Sequence, residues 1–257
     1  MHILITGASS GIGASMAREL GTNPDNSITL VARRKDKLVS LAKELKAQTL
    51  VLPCDLSNPE NVTELVQLAV EQFGPVDTLI NNAGMNCFKA AGDVELEEAT
   101  TIFNLNVLSP IALVSAVLPS MKERGEGSIV NVASVAAVNT PNGMGVYSAT
   151  KAALTKYSEA LHVELKSFGV HVATVYPGPV ATEMDTKARE AFGGSFGAAD
   201  RLPMGTPESL AVKIAKAIRV RTRKVYYPEF YRSSFMFPNF SQCITEKFSP
   251  RLESLAS

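Results

Sequence analysis

A tyrosine and a lysine lie four residues apart in the stretch YSATKAAL, residues 147–154. On a helix this spacing puts both side chains on one face, with Lys151 one turn beyond Tyr147. A free tyrosine has a pKa near 10, and lowering it by two to three units takes roughly 3–4 kcal/mol of selective stabilisation of the phenolate. A neighbouring ammonium can supply part of that energy. The pair therefore indicates an acid or base, although surface neighbours are the commoner reason for this spacing.

A serine upstream favours the chemical interpretation. Ser134 lies thirteen residues before Tyr147, just after the apolar stretch of residues 128–132. If that stretch is a strand of a parallel sheet, Ser134 lies at the carboxyl edge, where such sheets bind ligands. A hydroxyl there can orient a substrate oxygen and stabilise the charge that develops on it.

A glycine-rich stretch near the start of the chain indicates a phosphate site. ILITGASSGIG places Gly7, Gly11 and Gly13 between a strand-like and a helix-like segment. Glycines allow a tight turn and a close approach of phosphate, and the helix that follows offers free N–H groups. The spacing is G-x-x-x-G-x-G and not the better-known G-x-G-x-x-G, so an ordinary strand-to-helix turn stays an alternative.

The second strand-like stretch bears on the choice of dinucleotide. In NAD sites an acidic residue about twenty positions after the glycines binds the ribose 2′-hydroxyl. Here that neighbourhood reads LVARRKDKL, and Arg33 lies twenty residues after Gly13. Guanidinium groups suit a 2′-phosphate. Arg33 and Arg34 therefore favour NADP(H), with NAD(H) possible; the alternative is a pair of solvated surface arginines.

Strand-like and helix-like segments alternate along the chain and would bring these side chains together. Short β-rich stretches cover residues 3–6, 28–32, 49–53, 78–81, 128–132 and 171–176, with a possible seventh at 224–227. Helix-like segments lie near residues 12–20, 35–47, 58–73, 94–122 and 147–168, and another begins at 206–208. This alternation predicts an α/β fold with a doubly wound parallel sheet.

The organisation indicates a single domain with a distinct end. Residues 1–222 carry the alternation and form the predicted catalytic and cofactor-binding domain, while residues 223–257 are rich in aromatic side chains. We interpret the latter as an extension packed on the domain or on a neighbouring subunit, because exposed aromatic clusters usually mark interfaces. A lid over an apolar substrate or a membrane contact are the alternatives.

Composition excludes several classes of function. The chain has 257 residues, with 25 basic and 25 acidic side chains, so its charge favours neither nucleic acid nor an anionic membrane as partner. The lack of a run of about 18 apolar residues predicts no membrane span. The cysteines, Cys54, Cys87 and Cys243, form no CxxC, which favours reduced thiols and a cytoplasmic location. The histidines lack metal-like spacing, so no metal site is expected.

Seven short motifs match one known family in order and spacing. They are TGASSGIG at 6–13, CDL at 54–56, NNAG at 81–84, NLNV at 104–107, NVAS at 131–134, YSATK at 147–151 and PGPVATEM at 177–184. With them the chain resembles the short-chain dehydrogenase/reductase family along nearly all of residues 1–220. The resemblance implies one Rossmann-type domain and hydride transfer between a nicotinamide cofactor and a carbonyl or secondary alcohol.

The resemblance also implies roles for individual residues. Tyr147 would be the acid/base, Lys151 its activator and Ser134 the donor to the substrate oxygen. Asn106 would belong to a proton relay, although Asn104 competes for that role. The cofactor-binding residues would be Gly7, Ser9, Ser10, Gly11, Ile12, Gly13, Arg33, Arg34, Asp55, Leu56, Asn82, Ala83, Gly84, Tyr147, Lys151, Pro177, Gly178, Val180 and Thr182.

Within that set the family pattern assigns parts of the cofactor. Asp55 would hold the adenine edge, residues 82–84 would lie beside the adenosine ribose, and residues 177–182 would bind the nicotinamide carboxamide. The rival interpretation is a catalytically silent dinucleotide-sensing or scaffold protein of the same fold. The complete set of Ser134, Tyr147 and Lys151 argues against it.

Two further expectations concern the surroundings of the site. Residues 186–204 contain three glycines and two phenylalanines, which predicts a mobile and moderately apolar cover over the substrate. The helices near residues 100–122 and 147–168 have more apolar positions than one sheet can cover, and relatives use them in dimer contacts. We therefore expect a homodimer or homotetramer.

Overall fold

A parallel sheet of seven strands organises the protein, and the computed structural model describes residues 1–250. The strands are β1 (His2–Thr6), β2 (Ser27–Ala32), β3 (Gln48–Pro53), β4 (Thr78–Asn81), β5 (Gly127–Val132), β6 (Val170–Pro177) and β7 (Lys224–Tyr227). All neighbours pair in parallel, in the order β3-β2-β1-β4-β5-β6-β7. The predicted α/β fold with a doubly wound parallel sheet is confirmed, and the possible seventh strand belongs to the sheet.

The central strands are buried on both faces of the sheet. Every residue of β1, β4 and β6 is buried, and Ile3, Leu79 and Val175 are wholly inaccessible to solvent. A strand that is covered on both sides needs no polar face. This explains why these stretches show no alternation of polar and apolar residues in the sequence.

Helices cover both faces of the sheet. They are α1 (Gly11–Leu20), α2 (Lys35–Ala42), α3 (Val62–Phe73), α4 (Leu96–Phe103), α5 (Ser109–Arg124), α6 (Gly145–Leu165), α7 (Glu183–Ala191), α8 (Pro207–Val220), α9 (Arg232–Met236) and α10 (Pro238–Phe248). On one face the sheet packs against α1, α2 and α8, with Met16 and Ile214 in the core. On the other it packs against α3, α5 and α6, through Leu65, Leu113 and Leu161.

The structure differs from two of the predicted helical segments. The second helix ends at Ala42 and not near residue 47, because Lys46 and Ala47 instead donate backbone hydrogen bonds to the carbonyl of Gly21. The segment predicted as one helix over residues 94–122 contains a five-residue π-helix between α4 and α5, at Asn104–Leu108. This wider turn becomes important at the site.

One helical stretch in the described structure resembles a membrane span by length and composition. The continuous helical run Leu96–Arg124 contains an 18-residue window of mean hydropathy 1.8, of which 44% is buried inside the protein. Leu113, Val114 and Val117 of this run pack in the core beneath the sheet. The protein thus uses the run as a core helix.

The C-terminal segment is tied to the loop that connects Ser134 with Tyr147. The side chain of Asn139 donates to Ser234 Oγ at 3.1 Å, and the backbone N–H of Thr140 donates to Gln242 Oε1 at 2.9 Å. Both acceptors belong to α9 or α10. The segment therefore packs beside the predicted catalytic residues.

Aromatic packing also holds the segment to the sheet. The ring of Phe235 lies with its centroid 4.3 Å from that of Tyr176 in β6 and 5.1 Å from that of Tyr226 in β7. The predicted extension of residues 223–257 contributes the strand β7 to the main sheet. Its last part, residues 251–257, lies outside the described residues.

We predict that a substitution at Gly169 destabilises the fold. Gly169 follows the end of α6 with a φ of +69°, and a Cβ there would collide with the carbonyl oxygen of Gly125. Gly169→Ala should lower the free energy of unfolding in urea by about 1–3 kcal/mol. Gly92→Ala is the control, because open space surrounds its position; its effect should stay within about 0.5 kcal/mol. Equal effects of the two substitutions would contradict the prediction.

Candidate active site

The predicted site residues meet at the carboxyl edge of the sheet. Each of the strands β1 to β6 ends at or just before one of them: Gly7, Arg33, Asp55, Asn82, Ser134 and Pro177. The strand order reverses between β1 and β4, because the chain leaves the two strands toward opposite sides. Such a reversal opens a crevice that binds ligands in open α/β sheets.

The turn between β1 and α1 is packed too tightly for larger residues. A Cβ on Gly13 would collide with the carbonyl oxygen of Gly7. The side chain of Asn82 donates to the carbonyl oxygen of Thr6 at 2.9 Å, and the N–H of Ala83 donates to Thr6 Oγ1 at 3.0 Å. The turns after β1 and β4 are thus locked together at the reversal.

The start of α1 suits an anionic group. The N-cap residue Ser10 makes no side-chain hydrogen bond to the described backbone of α1. The first N–H groups of a helix have no partner within it, and they carry the positive end of the helix dipole. A pyrophosphate placed over Gly11, Ile12 and Gly13 would therefore find N–H donors, so the turn fits a dinucleotide.

Arg34, and not Arg33, contacts the glycine turn. Nη2 of Arg34 donates to Ser10 Oγ at 2.6 Å and to Ser9 Oγ at 3.1 Å. Nη1 donates to Oε2 of Glu183, at the start of α7, at 2.9 Å. Arg33 is exposed at the end of β2.

After β3 the chain presents an ionised carboxylate. Asp55 is exposed, while Leu56 beside it is buried. Burial raises the pKa of Asp55, but hydrogen bonds from Ser57 and the charge of Arg33 outweigh it, so the pKa lies below its usual value. Asp55 Oδ1 accepts from the Ser57 backbone N–H at 2.9 Å. The carboxylate is therefore held in place as a hydrogen-bond acceptor.

Tyr147 and Lys151 lie on the buried face of α6. They are 8% and 4% exposed. Lys151 Nζ lies 5.6 Å from the centroid of the Tyr147 ring and donates to the carbonyl oxygen of Val132 at 2.9 Å. A Cβ on Gly84 would lie 3.4 Å from Lys151 Nζ. The pair is therefore part of the interior at the site and not a pair of surface neighbours.

Desolvation dominates the ionisation of this pair. Burial raises the pKa of Tyr147 to about 12, and a hydrogen bond between Tyr147 and Ser134 offsets part of this rise. Burial lowers the pKa of Lys151 to about 8. The expected depression of the Tyr147 pKa is thus absent in this structure, because loss of water penalises both charged forms. At pH 7 Tyr147 keeps its proton and Lys151 most of its charge.

The π-helix orients the side chain of Asn106. This residue is fully buried, whereas Asn104 is partly exposed. Asn106 Oδ1 accepts from the Met85 N–H and Nδ2 donates to the Met85 carbonyl, both at 2.9 Å. Nδ2 also donates to Thr150 Oγ1 at 3.0 Å. The widened turn therefore turns Asn106, and not Asn104, toward the neighbourhood of Lys151.

Ser134 connects the ends of two strands. Its Oγ accepts from the N–H of Ala136 at 3.1 Å and lies 3.4 Å from the Pro177 carbonyl oxygen, to which it donates. Since Tyr147 also interacts with this hydroxyl, Ser134 stands between the end of β6 and the phenol. A substrate oxygen near Tyr147 would meet both groups.

The segment predicted to bind the carboxamide is built around Gly178. Its N–H donates to the Tyr227 carbonyl at 2.7 Å, and the Tyr231 ring covers its Cα so closely that a Cβ would lie 2.6 Å from the ring. Val180 is buried, and Thr182 Oγ1 accepts from the Asp185 N–H as N-cap of α7. The segment thus passes directly into the cover.

The predicted cover has more regular structure than expected. Residues 186–204 include most of α7, which the sequence analysis did not predict. Arg189 pairs with Asp200 at 2.7 Å, and the ring of Phe192 contacts that of Phe88 with centroids 6.3 Å apart. The cover is apolar where it meets the loop after β4.

Sequence reasoning missed three side chains at the site. They are Thr150, which supports Asn106, and the pair of Lys37 and Glu183. Glu183 lies within the PGPVATEM motif, but Arg34 is 149 residues away in the chain. Arg34 and Glu183 meet only because both lie at the same edge of the sheet. The spacing of residues along the chain therefore could not predict this contact.

Comparison with known proteins agrees with the geometry. A family model described as short chain dehydrogenase matches residues 1–192. The chain is 36% identical over 227 residues to the ketoacyl reductase HetN of Nostoc sp., which covers 87% of this chain and 77% of that protein.

Two solved structures share nearly the whole fold. The short-chain dehydrogenase from Sphingobium yanoikuyae in complex with NADPH matches with a TM-score of 0.79 and 27% identity, over 96% of this chain and 95% of that one. The 3-ketoacyl-(acyl-carrier-protein) reductase from Brucella melitensis complexed with NADH matches with a TM-score of 0.77 and 28% identity, over 88% and 96%.

We predict that the buried ammonium makes stability depend on pH. The pKa of Lys151 is about 8 in the folded protein and 10.5 ordinarily, so between these values the unfolded chain holds a proton that the folded protein lacks. The free energy of unfolding contributed by this group therefore rises with pH. Relative to Lys151→Met, the wild type should gain roughly 3 kcal/mol between pH 7 and pH 10.5.

Urea unfolding of both proteins at several pH values measures this gain. Lys156→Met is the control, since the Lys156 side chain is 82% exposed on the same helix. The difference between the wild type and this control should not change with pH. A constant difference for Lys151→Met as well would show that its ammonium is not desolvated.

Proposed function

This chain belongs to the short-chain dehydrogenase family and is a dehydrogenase or reductase, and we propose that it transfers a hydride between NADP(H) and a carbonyl or secondary alcohol. The observation that carries the proposal is the burial of Tyr147 between Ser134 and Lys151 at the carboxyl edge of the sheet. A buried phenol with a cation and a hydroxyl at hand is suited to proton transfer.

The residues of the chain would move the proton and hold the substrate. When bound, the nicotinamide supplies the hydride for reduction or accepts it for oxidation. Tyr147 donates its proton to the substrate oxygen in reduction and takes it back in oxidation. Ser134 orients that oxygen and stabilises the charge on it. Lys151, whose pKa of about 8 leaves it charged at pH 7, stabilises the phenolate.

Asn106 extends this arrangement away from the substrate. Its Oδ1 would lie 3.3 Å from a Cβ on Gly84, and Lys151 Nζ would lie 3.4 Å from the same point. The two polar groups thus face the same small space. We assign Asn106, with Lys151, to the path by which the phenolate regains a proton.

We assign each part of a dinucleotide to residues along the crevice. The uncapped start of α1 would hold the pyrophosphate, Arg33 and Arg34 the 2′-phosphate, and Asp55 and Leu56 the adenine. Residues 82–84 and Lys151 would hold the two riboses, and Pro177, Gly178, Val180 and Thr182 the carboxamide.

The preference for NADP(H) rests on the end of β2. Arg33 and Arg34 stand where NAD sites place a carboxylate. The Sphingobium yanoikuyae relative is in complex with NADPH, which supports the assignment. The Brucella melitensis relative is complexed with NADH, so NAD(H) is the alternative cofactor.

The substrate class follows from the proton donor and from the relatives. Tyr147 can protonate an oxygen at the carbon that exchanges hydride, which describes a carbonyl compound or its alcohol. The similarity to the ketoacyl reductase HetN supports a ketone substrate. The apolar contact of Phe88 and Phe192 beneath the cover favours a substrate with an apolar part.

We also propose a homodimer or homotetramer in the cytoplasm. On the two helical segments expected to form contacts, Phe103, Leu108, Val163 and Phe168 are more than a third exposed. Pairing of two copies would cover such side chains. The three cysteines are free thiols in the described structure, which suits a reducing compartment.

We predict that Tyr147→Phe abolishes turnover and leaves cofactor binding intact. The substitution removes the transferable proton and keeps the ring, so turnover on the best substrate of a carbonyl panel should fall by roughly 10²–10⁴. The dissociation constant of NADPH, measured by fluorescence, should change little. In the oxidation direction the wild-type rate should rise with pH as Tyr147 loses its proton.

The same change at Tyr157 is the control. Tyr157 lies ten residues later on α6, so Tyr157→Phe should retain turnover. Near-full turnover of Tyr147→Phe would show that this residue is not the acid or base, and only the membership of the family would survive.

We predict that NADPH binds at least tenfold more tightly than NADH, a difference of about 1.4 kcal/mol. Arg33→Asp should abolish or reverse this preference, because a carboxylate repels the 2′-phosphate and accepts from a 2′-hydroxyl. Arg219→Asp, on the exposed surface of α8, should leave it unchanged. Equal affinities of the wild type in calorimetry would mean that the arginines are surface residues.

A further inference from the structure

A carboxylate at the start of α7 already forms an ion pair with the arginine that contacts the glycine turn. Glu183 is the first residue of α7. Its Oε2 accepts from Arg34 Nη1 and its Oε1 accepts from Lys37 Nζ, both at 2.9 Å. Hydrogen bonds from Lys37 and Arg34 hold the pKa of Glu183 below its usual value. Glu183 is therefore ionised at neutral pH and bridges α7 to the start of α2.

The bridge lies where a 2′-phosphate would bind. Nε and Nη2 of Arg34 donate to Ser9 Oγ at 3.2 and 3.1 Å, in the turn after β1. Arg34 itself follows the end of β2. The adenosine ribose of a dinucleotide lies between these two points in this type of sheet. The guanidinium thus borders the position of the ribose 2′ group.

Every nitrogen of Arg34 is engaged before a phosphate arrives. Nη1 is bound to Glu183, and Nε and Nη2 are bound to the serine hydroxyls. A phosphate binds a guanidinium best through two parallel N–H bonds. Such binding requires the loss of the bridge to Glu183 or of the bonds to the serines. A carboxylate that stayed in place would also repel the phosphate.

We propose that Glu183 is a specificity-determining residue that competes with the 2′-phosphate of NADP(H) for Arg34. The inference rests on the proposed function and adds to it the residue that limits the preference for NADP(H). Lys37 is the reason that the exchange is feasible, because it can keep the Glu183 carboxylate paired when Arg34 turns to the phosphate. NAD(H) has no 2′-phosphate and would leave the bridge intact.

The opposite role for Glu183 makes an opposite prediction. If the bridge held Arg34 in the orientation that the phosphate needs, removing the carboxylate would weaken NADPH binding. The existing bonds from Arg34 to Ser9 and Ser10 favour competition, because they hold the guanidinium at the turn without help from Glu183. The sign of the effect on NADPH therefore distinguishes the two roles.

The test compares Glu183→Gln with the wild type in binding NADPH, NADH and adenosine 2′,5′-bisphosphate. The side chains of Arg34 and Glu183 are 43% and 54% exposed, so their bridge is partly screened by water. We expect Glu183→Gln to bind NADPH and the bisphosphate about fivefold more tightly, the equivalent of about 1 kcal/mol. NADH affinity should change less than about twofold, and added salt should reduce the gain.

Glu190→Gln is the matched control, since it makes the same chemical change at an exposed position of the same helix. It should alter none of the three affinities. Unchanged or weaker NADPH binding by Glu183→Gln would overturn the competition, even if the wild type binds NADPH well. Failure of the wild type to bind either dinucleotide would instead overturn the proposed function.

Discussion

Burial of both faces of the parallel sheet is the constraint on which the rest of the structure depends. Strands such as β1 and β6 are covered from both sides, so a ligand can approach them at the carboxyl edge. There the reversal of strand order between β1 and β4 separates the loops and opens a crevice. Residues as distant in the chain as Gly13 and Gly178 therefore border one site.

Packing at this edge puts ionisable groups where water cannot solvate them. Tyr147 and Lys151 are buried on α6, which moves both pKa values toward the neutral forms. The Lys151 ammonium donates a hydrogen bond to the Val132 carbonyl oxygen. The π-helix directs the Asn106 side chain into the same region. Keeping the Tyr147 phenol and the Lys151 ammonium together in the interior therefore lowers the stability of the fold, as is common at active sites.

Contacts between distant segments then complete the site. The C-terminal helices hold the loop between Ser134 and Tyr147 through Asn139 and Thr140. Elsewhere at this edge, Glu183 at the start of α7 accepts a hydrogen bond from Arg34 beside the glycine turn. The C-terminal helices and the start of α7 therefore both contribute contacts to the proposed site.

The sequence by itself determined the order of strands and helices, the glycine turn and the Tyr147–Lys151 pair, because each depends on local spacing and on which residues fit a turn or a helix face. It missed the short C-terminal helices and α7, whose apolar patterns cover few turns. Only the tertiary structure decided that Arg34 and not Arg33 meets the glycine turn, that Glu183 binds it, and that burial raises the Tyr147 pKa. Those properties depend on through-space contacts and on loss of water, which residue spacing along a chain does not encode.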